Sequence, residues 1–260
     1  MIPVKPKKSL GQHFLTDKNI ASKIVNSLTW EDFSCVLEIG PGMGVLSEYL
    51  LGISGKDIRF VEIDRASVEY LNNRFPDIRE KILTADILNT RLDDIFSKPF
   101  AVIGNFPYNI SSQLFFKILE SKDLVKETVC MIQKEVAVRI ASPPGSKDYG
   151  ILSVLLQAWY KIEYLFTVPP QVFIPPPRVQ SAVIRLRRNN TLDLGCNEAF
   201  FKTVVKTAFN QRRKTLRNSL KNILLNLDGS EPVFRKRPEQ LGVDDFISLT
   251  RLIETARRGS

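Results

Sequence analysis

The stretch CVLEIGPGMG (residues 35–44) sets the reading of the whole chain. Cys35 to Ile39 is a short, almost wholly apolar run of the kind that forms a strand buried on both faces, and a glycine-rich turn follows at once. Gly40, Gly42 and Gly44 let a backbone approach a ligand closely, and a helix expected over 44–51 would offer free N–H groups at its start. A dinucleotide-binding turn reads G-x-G-x-x-G; here the third glycine comes one residue early, so a pyrophosphate is a poor fit. Taken alone, the glycines suit a tight turn equally well.

The same alternation recurs along the chain. IRFVEI (58–63), KILT (81–84), FAVIG (100–104) and ETVCMIQ (127–133) read as further strands with helical segments between them. Thr16 or Asp17 can cap a helix running to about Leu28, and Asp64 another from Arg65 to about Phe75. Short apolar strands separated by helices predict an α/β fold, a parallel sheet with helices on both faces. After about residue 188 the segments read as helical, with GCN (195–197) and DGSEP (228–232) as breaks. The expected organisation is a flexible basic tail over 1–10, a sheet domain over 11–188 and a small C-terminal α-helical domain over 189–260.

Composition narrows the class. Of 260 residues, 43% are hydrophobic and 25% charged, as in ordinary globular proteins. No apolar run approaches the roughly 20 residues that span a bilayer, and no secretory signal is read ahead of the first periodic segment. The three cysteines, Cys35, Cys130 and Cys196, are scattered and lack CxxC spacing, which predicts reduced thiols and a cytoplasmic protein. With His13 the only histidine, no metal is expected. Lys and Arg exceed Asp and Glu by 9 charges, which favours a polyanionic partner such as nucleic acid.

The candidate chemistry gathers at strand ends. Glu62 ends the strand after the glycine turn, about 20 residues beyond it, where a carboxylate can accept hydrogen bonds from both ribose hydroxyls. Asp86 ends the third strand at the same edge, although either carboxylate alone is as readily a solvated strand end or a helix cap. Three such features in succession predict a nucleoside pocket. The fourth strand then delivers GNFPYNIS (104–111) to that edge. A ligand amine such as adenine N6 is a poor nucleophile because its lone pair is delocalised into the ring. The Asn105 amide oxygen and the Phe106 carbonyl, its direction fixed by Pro107, can accept from N6 and draw it towards tetrahedral geometry. Tyr108 offers a ring on which the base stacks, a contact worth about 1–3 kcal/mol. The alternative is an Asx-Pro turn with core aromatics.

With SLGQHFLTD (9–17), EIGPGMG (38–44), GNFPYNIS (104–111), MIQKEVAVRI (131–140), YGILSV (149–154), VPPQVFIPPPRVQSAV (168–183) and FNQRRKTLRNSL (209–220), the chain resembles the bacterial small-subunit ribosomal RNA adenine dimethyltransferases from about residue 7 to about 220. The resemblance implies a Rossmann-like seven-stranded methyltransferase sheet with a small helical domain. It implies S-adenosyl-L-methionine as cofactor, and N6 of two adjacent adenosines near the 3′ end of small-subunit rRNA as substrate, with a role in ribosome biogenesis. Carried over by position, cofactor contacts fall on His13, Leu15, Gly40, Glu62, Asp86 and Asn105; the family often has Asn where this chain has His13. The resemblance also marks Phe173 as a second ring facing the base opposite Tyr108, whereas the residues alone read as core packing beside the loop stiffened by Pro175, Pro176 and Pro177.

The segment 209–225 carries Leu216, Leu220, Ile223 and Leu224 at helical spacing and Arg213, Lys214, Arg217 and Lys221 on another face. Beside a base-binding pocket, that basic face is expected to contact RNA phosphates, with Arg185, Arg187 and Arg188 extending it. The expected partner is rRNA in a pre-ribosomal small subunit, met by a monomer, with no membrane. Other readings share this core: a macrolide-resistance type enzyme acting on large-subunit rRNA, an N6-adenine DNA methyltransferase, and an assembly factor whose binding matters more than its catalysis.

Overall fold

A computed structural model describes residues 4–224, 227 and 229–258. The chain divides into two compact units, Met1–Ala137 with Lys161–Arg188, and Val138–Tyr160 with Asn189–Ser260. The second unit thus takes in Val138–Tyr160, which the sequence reading assigned to the sheet domain.

The first unit is built on nine strands: β1 (Phe14–Leu15), β2 (Cys35–Ile39), β3 (Asp57–Glu62), β4 (Ile82–Thr84), β5 (Phe100–Asn105), β6 (Val125–Gln133), β7 (Tyr160–Val168), β8 (Phe173–Ile174) and β9 (Ser181–Arg188). Seven of them form one sheet in the order β4-β3-β2-β5-β6-β9-β7, and β1 pairs with β8 in a small antiparallel ribbon. All five residues of β2 are buried, as their composition predicts. Strands β2, β3, β4, β5 and β6 pair in parallel. Strand β9, next to the edge strand β7, runs antiparallel to β6, so the sheet is mixed where the sequence reading had a parallel one. Because β3 and β5 flank β2, the chain leaves β2 towards one side of the sheet and later returns on the other. The crevice at the carboxyl ends of these strands is the switch point where ligands bind in open α/β sheets.

Local chemistry sets the helix starts. The Asp17 carboxylate accepts from the Ile20 N–H (3.0 Å) to cap Lys18–Val25, and Asp64 accepts from the Ala66 N–H (3.2 Å) to cap Arg65–Arg74. The helix expected over 44–51 is confined to Ser47–Leu50. The flexible tail is corrected for residues 4–10: Val4 is buried, Lys8–Leu10 form a 3-10 turn and Lys7 is ion-paired to Asp64. Residues 1–3 lie outside the described residues.

The second unit is helical, with Ile151–Gln157, Glu198–Asn210 and Val243–Arg258 as its longer elements. In its core Phe209 meets Tyr149 edge to face, with ring centroids 6.1 Å apart, and stacks on Phe246 at 5.9 Å. The stretch 209–225 is not one helix. Glu198–Asn210 ends, Thr215 is extended, and the Leu216 N–H is drawn away to the Lys236 carbonyl (2.8 Å) before short turns at Leu216–Ser219 and Lys221–Leu224. Leu216, Leu220 and Leu224 are nevertheless buried; Leu225 lies outside the described residues.

Candidate active site

A cavity of ≈ 280 Å³ opens at the carboxyl ends of β2, β3 and β5, within the first unit. Its floor is the glycine turn after β2, tied down where the Gly40 N–H donates to the Val61 carbonyl (2.9 Å). Gly42 has φ +57°, and a Cβ there would lie 2.9 Å from the Phe14 ring, so both conformation and contact demand glycine.

Glu62 ends β3 only 4% exposed. Its Oε2 accepts from the Gly42 N–H (3.0 Å) and its Oε1 from the Asp64 N–H (2.9 Å). These backbone bonds fix the carboxylate and still leave it acceptor capacity to spare. Burial raises its pKa, the backbone N–H groups of Asp64, Gly42 and Ile63 oppose that rise, and the charge of Asp64 adds to it. Asp86 also borders the cavity, but its oxygens accept from the Leu88 N–H (2.9 Å) and the Asn89 amide (3.0 Å), capping the 3-10 turn Ile87–Asn89.

Glu38, inside β2, is a cavity residue that sequence reasoning missed; its one signal is a carboxylate in the middle of an apolar run. It is 1% exposed and accepts from the Ser47 hydroxyl (2.7 Å). Burial pushes its pKa up to about 8; the Ser47 bond works against that, and the charge of Glu62 adds to it. The unfolded side chain ionises near 4.5, so between about pH 4.5 and 8 the folded state holds a proton that the unfolded state has lost. Stability from this group is therefore complete below the unfolded pKa and lost as pH rises to about 8, by at most ~1.4 kcal/mol per pH unit. Thermal midpoints measured across this range are expected to fall more steeply for the parent than for Glu38→Gln. Parallel curves would show that Glu38 ionises as an ordinary carboxylate.

The fourth wall comes from the end of β5. The Asn105 amide nitrogen donates to the His13 carbonyl (2.8 Å), which commits its NH₂ end and leaves Oδ1 without a partner among the described residues. The Phe106 N–H donates to the Met131 carbonyl (3.0 Å), and its ring packs in the core 6.1 Å from Phe115. Tyr108 anchors its hydroxyl to the Ser181 hydroxyl (2.5 Å), and burial raises its pKa despite that bond. His13 stacks on the Tyr108 ring, with centroids 5.4 Å apart and planes at 27°, and its Nδ1 donates to the Pro175 carbonyl (2.7 Å).

The structure therefore brings His13, Leu15, Gly40, Glu62, Asp86, Asn105, Phe106, Pro107 and Tyr108 to one cavity. Phe173 is not among its lining residues. It is 1% exposed, pairs with Leu15 across β1 and β8, and packs in the apolar core, as the residues alone suggested. In the second unit Arg213, Lys214, Arg217 and Lys221 are all exposed. Arg185, Arg187 and Arg188, expected to extend that basic face, are instead engaged within the first unit. Arg185 pairs with Glu163 (2.7 Å), Arg187 with Glu31 (3.5 Å) and Arg188 with Asp123 (3.9 Å). Among the described residues no cluster of three or more His, Cys, Asp and Glu could hold a metal ion, and no helix is long and apolar enough to cross a membrane.

A seven-stranded sheet with a reversed strand near its edge, and a cavity at its switch point fed by successive strand ends, is the architecture of the Rossmann-like methyltransferases. The family model described as ribosomal RNA adenine dimethylase matches residues 4–236, and the chain belongs to that family. Similar relatives include the ribosomal RNA small subunit methyltransferase A of Parabacteroides distasonis, 57% identical over 95% of this chain and 93% of that one. The protein of the same name from Porphyromonas gingivalis is 56% identical over 98% and 100%. Among solved structures, a dimethyladenosine transferase from Plasmodium falciparum superposes with a TM-score of 0.78 at 27% identity, covering 95% of this chain and 98% of that one. The 23S rRNA methyltransferase ErmE shares the fold, with a TM-score of 0.65 at 24% identity over 92% and 99%.

Proposed function

We propose that the chain uses S-adenosyl-L-methionine to dimethylate N6 of two adjacent adenosines near the 3′ end of small-subunit rRNA, as a monomer acting on a pre-ribosomal small subunit in the cytoplasm. The observation that carries this reading is the joint placement of the Glu62 carboxylate and the Asn105 amide in one cavity, each with a spare acceptor. Names of relatives more than 50% identical support the small subunit over the large. The cavity fits the cofactor: a buried carboxylate held by two backbone donors suits a ribose diol, and glycines at the turn leave room for a close approach.

When bound, S-adenosyl-L-methionine supplies an electrophilic methyl group. Glu62 receives the ribose hydroxyls, with His13, Leu15, Gly40 and Asp86 shaping the remaining walls. Asn105, its NH₂ end held by the His13 carbonyl, presents Oδ1 to one N6–H; the Phe106 carbonyl takes the other. Tyr108, anchored through Ser181, supplies the ring on which the base stacks. No general base is required, because the methylated cationic amine loses its proton readily. Phe173 reaches the base only if its core packing rearranges, and this reading does not depend on it.

The test is calorimetric titration with S-adenosyl-L-methionine, followed by transfer of labelled methyl groups to naked rRNA, immature small subunits and mature small subunits. Saturable binding and label in small-subunit rRNA are expected. Label in large-subunit rRNA or in DNA instead would sink the substrate assignment.

Arg213, Lys214, Arg217 and Lys221 supply the phosphate contacts in this reading. Replacing all four by Gln is expected to weaken subunit binding and leave cofactor affinity unchanged. The log–log salt dependence of subunit binding should flatten by about 0.7–0.9 for each phosphate that is no longer neutralised. Equal slopes for variant and parent would make this face merely solvated.

A further inference from the structure

One wall of the cavity, residues Ser9 to Leu15, comes from outside the main sheet. It begins at Asp64, whose side chain is fully buried just beyond β3. Asp64 Oδ1 accepts from Lys7 Nζ (2.6 Å) and Oδ2 from Gln12 Nε2 (3.1 Å), while the Gln12 Oε1 accepts from the Lys7 N–H (2.8 Å). At the other side Gly11 lies against Asn109, whose Oδ1 would stand 2.6 Å from a Cβ there, and the His13 carbonyl receives the Asn105 amide (2.8 Å). The segment therefore bridges from the end of β3 to the end of β5, over the glycine turn of the intervening β2, with the Phe14 ring laid on Gly42.

We propose that residues 7–13 are a strap that retains the cofactor, fastened by a clasp in which Asp64 holds Lys7 and Gln12, and that the clasp opens between methyl transfers. This rests on the assignment of the cavity to S-adenosyl-L-methionine. Each cofactor carries one transferable methyl, so the cavity must empty and refill between successive transfers. The two ends of the strap differ in strength. Beyond it, β1 pairs with β8 and buries Phe14 and Leu15, whereas the Lys7 side chain is 49% exposed, so water competes for its contact. The Lys7 contact is thus the fastening that yields, with Val4 still buried beyond it, and Gly11 at φ +63° is the adjoining pivot. Asp64 acts through the strap as a positioning residue. It also bonds the Ser67 hydroxyl (3.3 Å) and the Ala66 N–H, and Asn at this place keeps a helix cap while losing the charge that holds Lys7.

Two measurements on the full chain test the clasp: stopped-flow release of S-adenosylhomocysteine, and amide hydrogen exchange of residues 8–13 with no ligand present. For Asp64→Asn and Lys7→Met, release is expected to be about tenfold faster than for the parent, with faster strap exchange. The double variant should add little to either, because both changes break the same interaction. Should Asp64→Asn fail to fold, Lys7→Met and Gln12→Ala give the same test. Unchanged release in variants of a parent that binds cofactor would overturn the clasp alone. A parent that binds neither S-adenosyl-L-methionine nor its product would remove the cofactor assignment, and the clasp with it.

Discussion

Asn105→Ala is expected to lower methyl transfer at saturating cofactor by at least about a hundredfold, the usual loss when one preorganised hydrogen bond is removed at a reacting centre. The substitution deletes Oδ1, the acceptor left unpartnered when the amide nitrogen is committed to the His13 carbonyl. Cofactor affinity is expected to fall as well, because the same amide tethers the strap, so assays need saturating cofactor. Subunit binding should barely change, since phosphate contacts dominate it. Tyr108→Phe loses the Ser181 tether but keeps the stacking ring, and is expected to retain far more activity than Tyr108→Ala. A variant with Ala at position 105 that transfers methyl groups at the parent rate would reduce GNFPYNIS to a turn.

The second large effect is expected at Gly104. A Cβ on this residue would stand 2.5 Å from the Ile39 carbonyl oxygen and 3.2 Å from the Phe106 ring. The first of these is backbone of the neighbouring strand, which no side-chain rotation relieves. Gly104→Ala must therefore push the end of β5 away from β2, at the residue that precedes Asn105. Overpacking of this kind costs about 1–3 kcal/mol, a fall of roughly 2–12 °C in thermal midpoint for a chain of this size. Transfer is expected to drop too, because an amide displaced by even part of an ångström no longer meets N6. An unchanged midpoint with full activity would mean that the two strand ends yield freely.

Several parts of this protein were determined by sequence alone, because the interactions that make them are local. β2 was placed at Cys35–Ile39 because an apolar run closed by glycines has few other fates. The caps at Asp17 and Asp64 followed from a carboxylate set directly before helix-forming residues. Glu62, Asp86 and Asn105 were legible as strand-end residues, and parallel strands bring their carboxyl ends to one edge whatever the side chains between them. Tertiary structure decided the rest, because those features depend on partners distant in sequence. The direction of β9 is one such feature: it runs antiparallel because it pairs with β6, a strand some fifty residues earlier in the chain. Arg185, Arg187 and Arg188 look like a phosphate-binding cluster until Glu163, Glu31 and Asp123 fold in beside them. The broken helix after Asn210 is set by the Lys236 carbonyl, more than twenty residues further on. Glu38 becomes a proton-holding carboxylic acid only when burial strips its water, and residues 1–10 read as a tail until the buried Asp64 supplies the acceptors for Lys7 and Gln12 that no local pattern announces.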